Sequence, residues 1–111
     1  MDIYEARKLK FKAWNTKTKL MMRLKSIDCV KGELYSKDHI LLQFTGHSDM
    51  NEAEIYEQDV VLREGHKYVV CWNVERGWVY RLLQDAPAMH DLRKHEAEKM
   101  SRLCSYFELS G

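Results

Sequence analysis

His66-Lys67-Tyr68-Val69-Val70-Cys71-Trp72-Asn73-Val74, then Glu75-Arg76-Gly77, then Trp78-Val79-Tyr80-Arg81-Leu82, is the stretch that decides the fold. Tyr68, Val70, Trp72 and Val74 recur at every second position, the period of a pleated strand with one face turned inward. A short polar loop with its glycine near the end follows, and Trp78, Tyr80 and Leu82 then alternate again, so residues 66–83 are predicted to form a β-hairpin. The aromatic core is placed here. Tyr68, Trp72, Trp78 and Tyr80 would also suit a ligand cage, but aromatics alternating along a hairpin are first of all core.

The same period extends toward the N-terminus. Lys8-Leu9-Lys10-Phe11-Lys12-Ala13 alternates polar and apolar, with Leu9, Phe11 and Ala13 expected inside. Asn15-Thr16-Lys17-Thr18 supplies a turn, and Leu20, Met22 and Leu24 alternate after it, which predicts a first hairpin. Ser26 to Lys37 reads only as short extended pieces around Gly32. Ile40, Leu42 and Phe44 form another strand, which Thr45-Gly46 is expected to close before a long polar loop over Gly46 to Glu54. From Ile55 the strand pattern resumes with Val60-Val61-Leu62.

Beyond Pro87 the period changes. Met89, Leu92, Met100, Leu103 and Cys104 share one helical stripe, so a C-terminal helix is predicted over about 87–105, capped by Asp85 with Pro87 in its first turn. Such a stripe would bury against the sheet or against a second subunit.

With 111 residues the chain suits one domain spanning 1–111, β-rich over 8–83. The apolar share of 45% and aromatic share of 11% suffice for a packed core, and a formal charge of +1 gives no bulk attraction to nucleic acid or membrane. The apolar runs are too short for a membrane-spanning helix, and Met1-Asp2-Ile3-Tyr4-Glu5 lacks the features of a secretion signal, so a cytoplasmic location is expected. Cys29, Cys71 and Cys104 are too widely spaced for a Cys-x-x-Cys pair and are expected to be reduced thiols.

Two segments resemble the YopX family of phage and prophage proteins. Lys10-Phe11-Lys12-Ala13-Trp14-Asn15 is similar to that family's Lys-Phe-Arg-Ala-Trp-Asp. Leu42-Gln43-Phe44-Thr45-Gly46, a polar loop, and Glu54-Ile55-Tyr56-Glu57-Gln58-Asp59-Val60-Val61 resemble its Gln-Tyr-Thr-Gly, charged loop and Glu-Ile-Tyr-Glu-Gly-Asp-Ile-Val. Three departures fall at turns: Asn15 replaces Asp, Gln58 replaces Gly, and Asn51-Glu52 stands where Asn-Gly is expected. The resemblance implies a compact β-rich fold and a phage or prophage accessory role, without an established reaction or catalytic residues.

Charge is segregated along the chain. Residues 7 to 25 carry Arg7, Lys8, Lys10, Lys12, Lys17, Lys19, Arg23 and Lys25 and no acid, whereas residues 49 to 64 carry Asp49, Glu52, Glu54, Glu57, Asp59 and Glu64 against Arg63. A two-sided molecule is expected. Lys8, Lys10, Lys12, Lys17, Lys19 and Arg23 form a candidate face for an anionic partner, with Trp14 available to stack a nucleobase. A solvated sheet face with lysine-protected edges accounts for the same residues.

Other chemistries find less footing. Asp49-Met50-Asn51-Glu52-Ala53-Glu54 has oxygen ligands but places Glu54 where a calcium loop of the EF-hand type needs glycine. His39, His47, His66, His90 and His95 include no i, i+4 pair, and Cys71 with His66 or His47 is only a nominal nucleophile and base. The expectation is therefore a mostly β protein: a small twisted antiparallel barrel or curved sheet with one C-terminal helix, an α+β open sheet being the alternative. It is expected to act by binding rather than catalysis, with no cofactor or metal. Self-association through Met89, Leu92, Met100 and Leu103 is expected, with a host or phage protein as a further partner and nucleic acid as the alternative.

Overall fold

The computed structural model describes residues 3–84 and 88–109 and is mostly β. The N-terminal half contributes β1 (Phe11–Asn15), β2 (Leu20–Met22), β3 (Asp28–Val30), β4 (Glu33–Tyr35), β5 (His39–Ser48) and β6 (Glu54–Tyr56). Then come β7 (Asp59–Arg63), β8 (His66–Asn73), β9 (Gly77–Leu82), β10 (His90–Asp91), α1 (Lys94–Ala97), β11 (Ser101–Ser105) and α2 (Tyr106–Leu109). Among the described residues the strands form a four-stranded sheet in the order β2-β1-β5-β6, a five-stranded sheet β10-β9-β8-β7-β11 and a separate β3-β4 arm. Together they make a curled half-barrel. No helix among the described residues is long and apolar enough to cross a membrane.

The predicted hairpin is present as β8 and β9, paired from Tyr68–Leu82 to Asn73–Gly77. Its inner end carries core, since Val70 and Tyr80 are buried and Tyr68 packs against them. Its outer end does not. Trp72 and Val74 are exposed, because the strand runs past the edge of the material that covers it. The principal cluster is Ile55, Val61, Val70, Tyr80, Leu92, Ala97 and Met100. Full burial of each large aliphatic side chain there contributes about 1.5–3 kcal/mol.

Strand β1 begins three residues later than the alternation suggests. Leu9 is exposed and Phe11 half-buried, while Ala13 and Trp14 are both buried, Trp14 stacking on Phe107 at 5.7 Å. Adjacent buried residues mean that this strand is covered on both faces, so strict alternation does not hold. Strand β5 likewise continues past Gly46 to Ser48, its pairing with β6 shifting register between Phe44 and Ser48. Gly46, with φ of +89°, lets the strand bend there instead of ending it.

The C-terminal region corrects the sequence expectation most. A helix ends the described chain, but it is only the four-residue α2, and the described residues 88–105 instead carry β10, α1 and β11. Between Leu92 and Met100 the supposed stripe has only Ala97, and β7 presents an open edge that Ser101 to Ser105 fills by antiparallel pairing. A four-residue helix has no stability of its own, so α1 depends on tertiary contacts. Arg63 supplies them: its guanidinium binds the Tyr80 hydroxyl at 2.6 Å and the Glu96 carboxylate, fastening α1 over β7 and β9. The expected caps Asp85 and Pro87 lie outside the described residues.

The family-departing turns are informative. Gln58 and Glu52 have φ of +67° and +64°, the left-handed conformation that glycine adopts most easily. Gln58 is nevertheless pinned, donating its N–H to the Val70 carbonyl and accepting from the Tyr106 N–H, each at 2.7 Å. Asn15 keeps the acceptor that Asp would offer: its Oδ1 accepts from the N–H groups of Lys17 and Thr18 at 2.9 Å.

Candidate functional site

Strand β5 separates β1 from β6 in the sheet, and the side chains of Lys10 and Lys12 reach toward Glu54 and Tyr56 of β6, with the coil that follows β2 on the other side. Between them lies a groove of about 630 Å³ whose ionic lining is Lys10, Lys12, Arg23, Lys25, Glu54 and Arg102. Lys10 and Lys12 face it together because they are two apart on an extended chain. Arg102 arrives from β11, which no sequence pattern connects with β1.

Each cation there is held differently. Lys10 Nζ lies 2.6 Å from Glu54 Oε2 and 5.4 Å from the Phe44 ring centroid. The Glu54 hydrogen bond raises the Lys10 pKa against the opposing effect of burial. Arg102 is neutralised from behind by Asp59, with Nε to Oδ2 at 2.9 Å. Lys12 has no carboxylate partner in an ion pair among the described residues and instead sits over the Tyr56 ring at 4.4 Å. Burial, followed by repulsion from Arg102, pushes the Lys12 pKa down, and the attraction of Asp59 and Glu108 does not make up the difference. An arriving anion would reverse that deficit.

The structure distributes the predicted basic set. Lys10, Lys12 and Arg23 share the groove, Lys8 lines another one, Lys17 pairs with Asp38 at 3.5 Å, and Lys19 sits in the turn between β1 and β2. The expected two-sidedness is closed at Lys10–Glu54, where the basic and acidic segments meet. Trp14, expected to offer a stacking surface, is buried against Phe107 and cannot do so. Leu92 and Met100 belong to the core, Met89 is half-buried, and of the four expected self-association residues Leu103 is the exposed one. Leu92 and Met100 are therefore taken up by the core and do not form a continuous exposed stripe with Met89 and Leu103.

Asp49, read as a possible calcium ligand, has another task. Its Oδ1 accepts from the Asn51 and Ala53 N–H groups at 2.8 and 2.9 Å, and its Oδ2 from the Arg102 N–H at 2.7 Å. It organises the β5–β6 turn and ties it to β11. The Cys71 thiol lies 3.9 Å from Gln58 Nε2 and 3.8 Å from the Val69 carbonyl, and burial pushes its pKa up, the opposite of what an activated nucleophile needs. Among the described residues no group of three or more His, Cys, Asp and Glu is placed to hold a metal ion.

Sequence reading missed Tyr56 and Arg102 as parts of the groove, and Asp59 as the carboxylate behind it. Asp59 stood among the acidic residues expected to form one side of a two-sided molecule, yet it is 1% exposed. Its adjacency to Val60-Val61 in a strand was the signal available.

The family model described as YopX protein matches residues 1–101. Among solved structures, the crystal structure of protein EF1440 from Enterococcus faecalis superposes with a TM-score of 0.61 at 15% identity, covering 95% of this chain and 97% of that one. At that identity the likeness concerns the fold alone. No curated protein matches the chain.

Proposed function

This chain belongs to the YopX family, and from that membership we propose that it is a non-enzymatic phage-type accessory protein that acts by binding an anionic group of a partner in the groove between β1, β6 and β11. The observation that carries this reading is the cation surplus: Lys12, Arg23 and Lys25 line the groove without an ion-pair partner among the described residues, beside a Lys10 and an Arg102 that are already neutralised. Such a surplus, half-enclosed and backed by the Tyr56 ring, strengthens attraction for an entering anion relative to a flat solvated face. A cytoplasmic location belongs to the same proposal.

Tripolyphosphate is the simplest probe. Calorimetric titration at low and moderate salt should show binding that weakens with salt, and Lys12→Gln with Arg23→Gln should remove most of it. Unchanged binding in that double variant would refute the reading.

Self-association is also part of the proposal, with a different surface from the expected stripe. The β3–β4 arm exposes Val30, Leu34 and Tyr35, and an isolated two-stranded ribbon gains stability when something covers it. Light scattering that reports a monomer at every concentration would remove this component.

A further inference from the structure

We propose that the groove lined by Trp72 and Trp78 receives an unstacked nucleobase, and that the anionic partner is a single-stranded nucleic acid. Trp72 is 55% exposed at the outer end of the β8–β9 hairpin, and its ring meets Trp78 edge-to-face with centroids 5.0 Å apart. The indole also lies close to Gly77, at a distance where even a Cβ would meet it only in ordinary van der Waals contact, at 3.7 Å. A large aromatic ring fixed in this way and still open to solvent is a stacking platform with little conformational freedom to lose.

The surroundings select the ligand. The groove, about 700 Å³, is lined by Arg7 and Lys8 as well as Gln43, Phe44, Trp72 and Trp78. Neither Arg7 nor Lys8 forms an ion pair among the described residues. Two cations that form no ion pair, beside an aromatic platform, match a ligand that carries a planar ring and a negative charge on the same unit, which a nucleotide does. A purely apolar protein segment would leave both charges unmatched.

Phe44 links this groove to the cationic one. It lines the tryptophan groove, and its ring lies 5.4 Å from the Lys10 ammonium of the other. A polymer with repeating phosphates therefore satisfies both places, whereas a free mononucleotide satisfies one. A duplex is disfavoured because its bases are stacked on one another and cannot reach the Trp72 ring.

The inference rests on the anion-binding reading for its phosphate contacts and adds the base contact, and the two can fail separately. An oligothymidylate of about eight nucleotides and an abasic oligomer with the same number of phosphates are titrated against the full chain while tryptophan fluorescence is followed. The thymidylate should bind roughly 10-fold or more tightly than the abasic oligomer and quench the fluorescence, and Trp72→Ala should erase that difference while leaving abasic binding unchanged. Trp72→Phe, which keeps an aromatic face, should retain most of the difference and guards against a packing defect in the alanine variant. Equal binding of the two oligomers would overturn the base contact and leave the anion site standing, and absence of binding by both would overturn the two together. Thymidine monophosphate binding as tightly as the oligomer, or a duplex binding more tightly, would overturn the assignment to a single strand.

Discussion

Asp59 and Arg102, 43 positions apart in the chain, meet as a two-pronged pair, with Nε to Oδ2 at 2.9 Å and Nη2 to Oδ1 at 3.3 Å. The pair joins β7 to β11 and forms the back of the cationic groove. Asp59 Oδ2 also accepts the Tyr56 N–H at 2.8 Å, so one carboxylate fixes the β6–β7 turn and the last strand at once. Asp59→Ala leaves the guanidinium without its partner and is expected to destabilise the fold by about 3 kcal/mol, at the lower end for a buried pair because the Arg102 side chain keeps 22% exposure. The double variant Asp59→Asn with Arg102→Met should lose less than Asp59→Ala alone. Urea denaturation midpoints measure both.

Asp49 sets an acid limit on stability. Burial raises its pKa, but the N–H groups of Arg102, Ala53 and Asn51, with the Arg102 charge, outweigh burial and hold the carboxyl below its ordinary value of 3.8. A carboxyl that titrates lower when folded than when unfolded contributes stability that is complete above the unfolded value and is lost as pH falls through the folded one. Asp59 behaves in the opposite sense: burial leads there and raises its pKa, so its ionised form opposes folding and that opposition fades in acid. Thermal melts between neutral pH and pH of about 2 should therefore fall less steeply for Asp49→Asn than for the parent, from a lower neutral starting point.

Gln58→Gly is expected to stabilise the protein by about 0.5–1 kcal/mol. The residue holds φ of +67°, a conformation disfavoured for a side chain with a Cβ, while its backbone hydrogen bonds survive the change. Glu52→Gly, at +64°, should act in the same direction. A lower denaturation midpoint for Gln58→Gly would mean that its side chain contributes more than the backbone strain removes.

Thiol labelling separates the cysteines. Cys29 lies exposed on the β3–β4 arm, whereas Cys71 is partly covered and its pKa is raised by burial. Maleimide at neutral pH should modify Cys29 first and Cys71 much more slowly, which mass spectrometry of the digested protein resolves. Fast modification of Cys71 would revive it as a nucleophile.

The β-rich class was legible because period-two alternation is a local property, clearest at Tyr68 to Trp72 and Trp78 to Leu82. What alternation conceals is which end of a strand is covered. Val70 and Trp72 share one face by sequence, yet Val70 is buried and Trp72 is not, since cover is supplied by residues distant in the chain. The C-terminal error has the same origin: Leu92 and Met100 are apolar because they fill the core, and that requirement is blind to whether a helix or a strand delivers them. In the groove, Lys10 and Lys12 were visible as part of a basic segment. Arg102 was not, and the role of Asp59 behind it was not, because only long-range pairing joins the two.

Backbone amide shifts, followed by NMR during titration of the intact protein with tripolyphosphate, test the anion-binding groove most directly. Saturable shifts are expected, concentrated at Lys10, Lys12, Arg23 to Ile27 and Arg102 and diminished by added salt and by Lys12→Gln with Arg23→Gln. Shifts that are absent, or that centre instead on Lys17, Lys19 and other lysines remote from the groove, would contradict it.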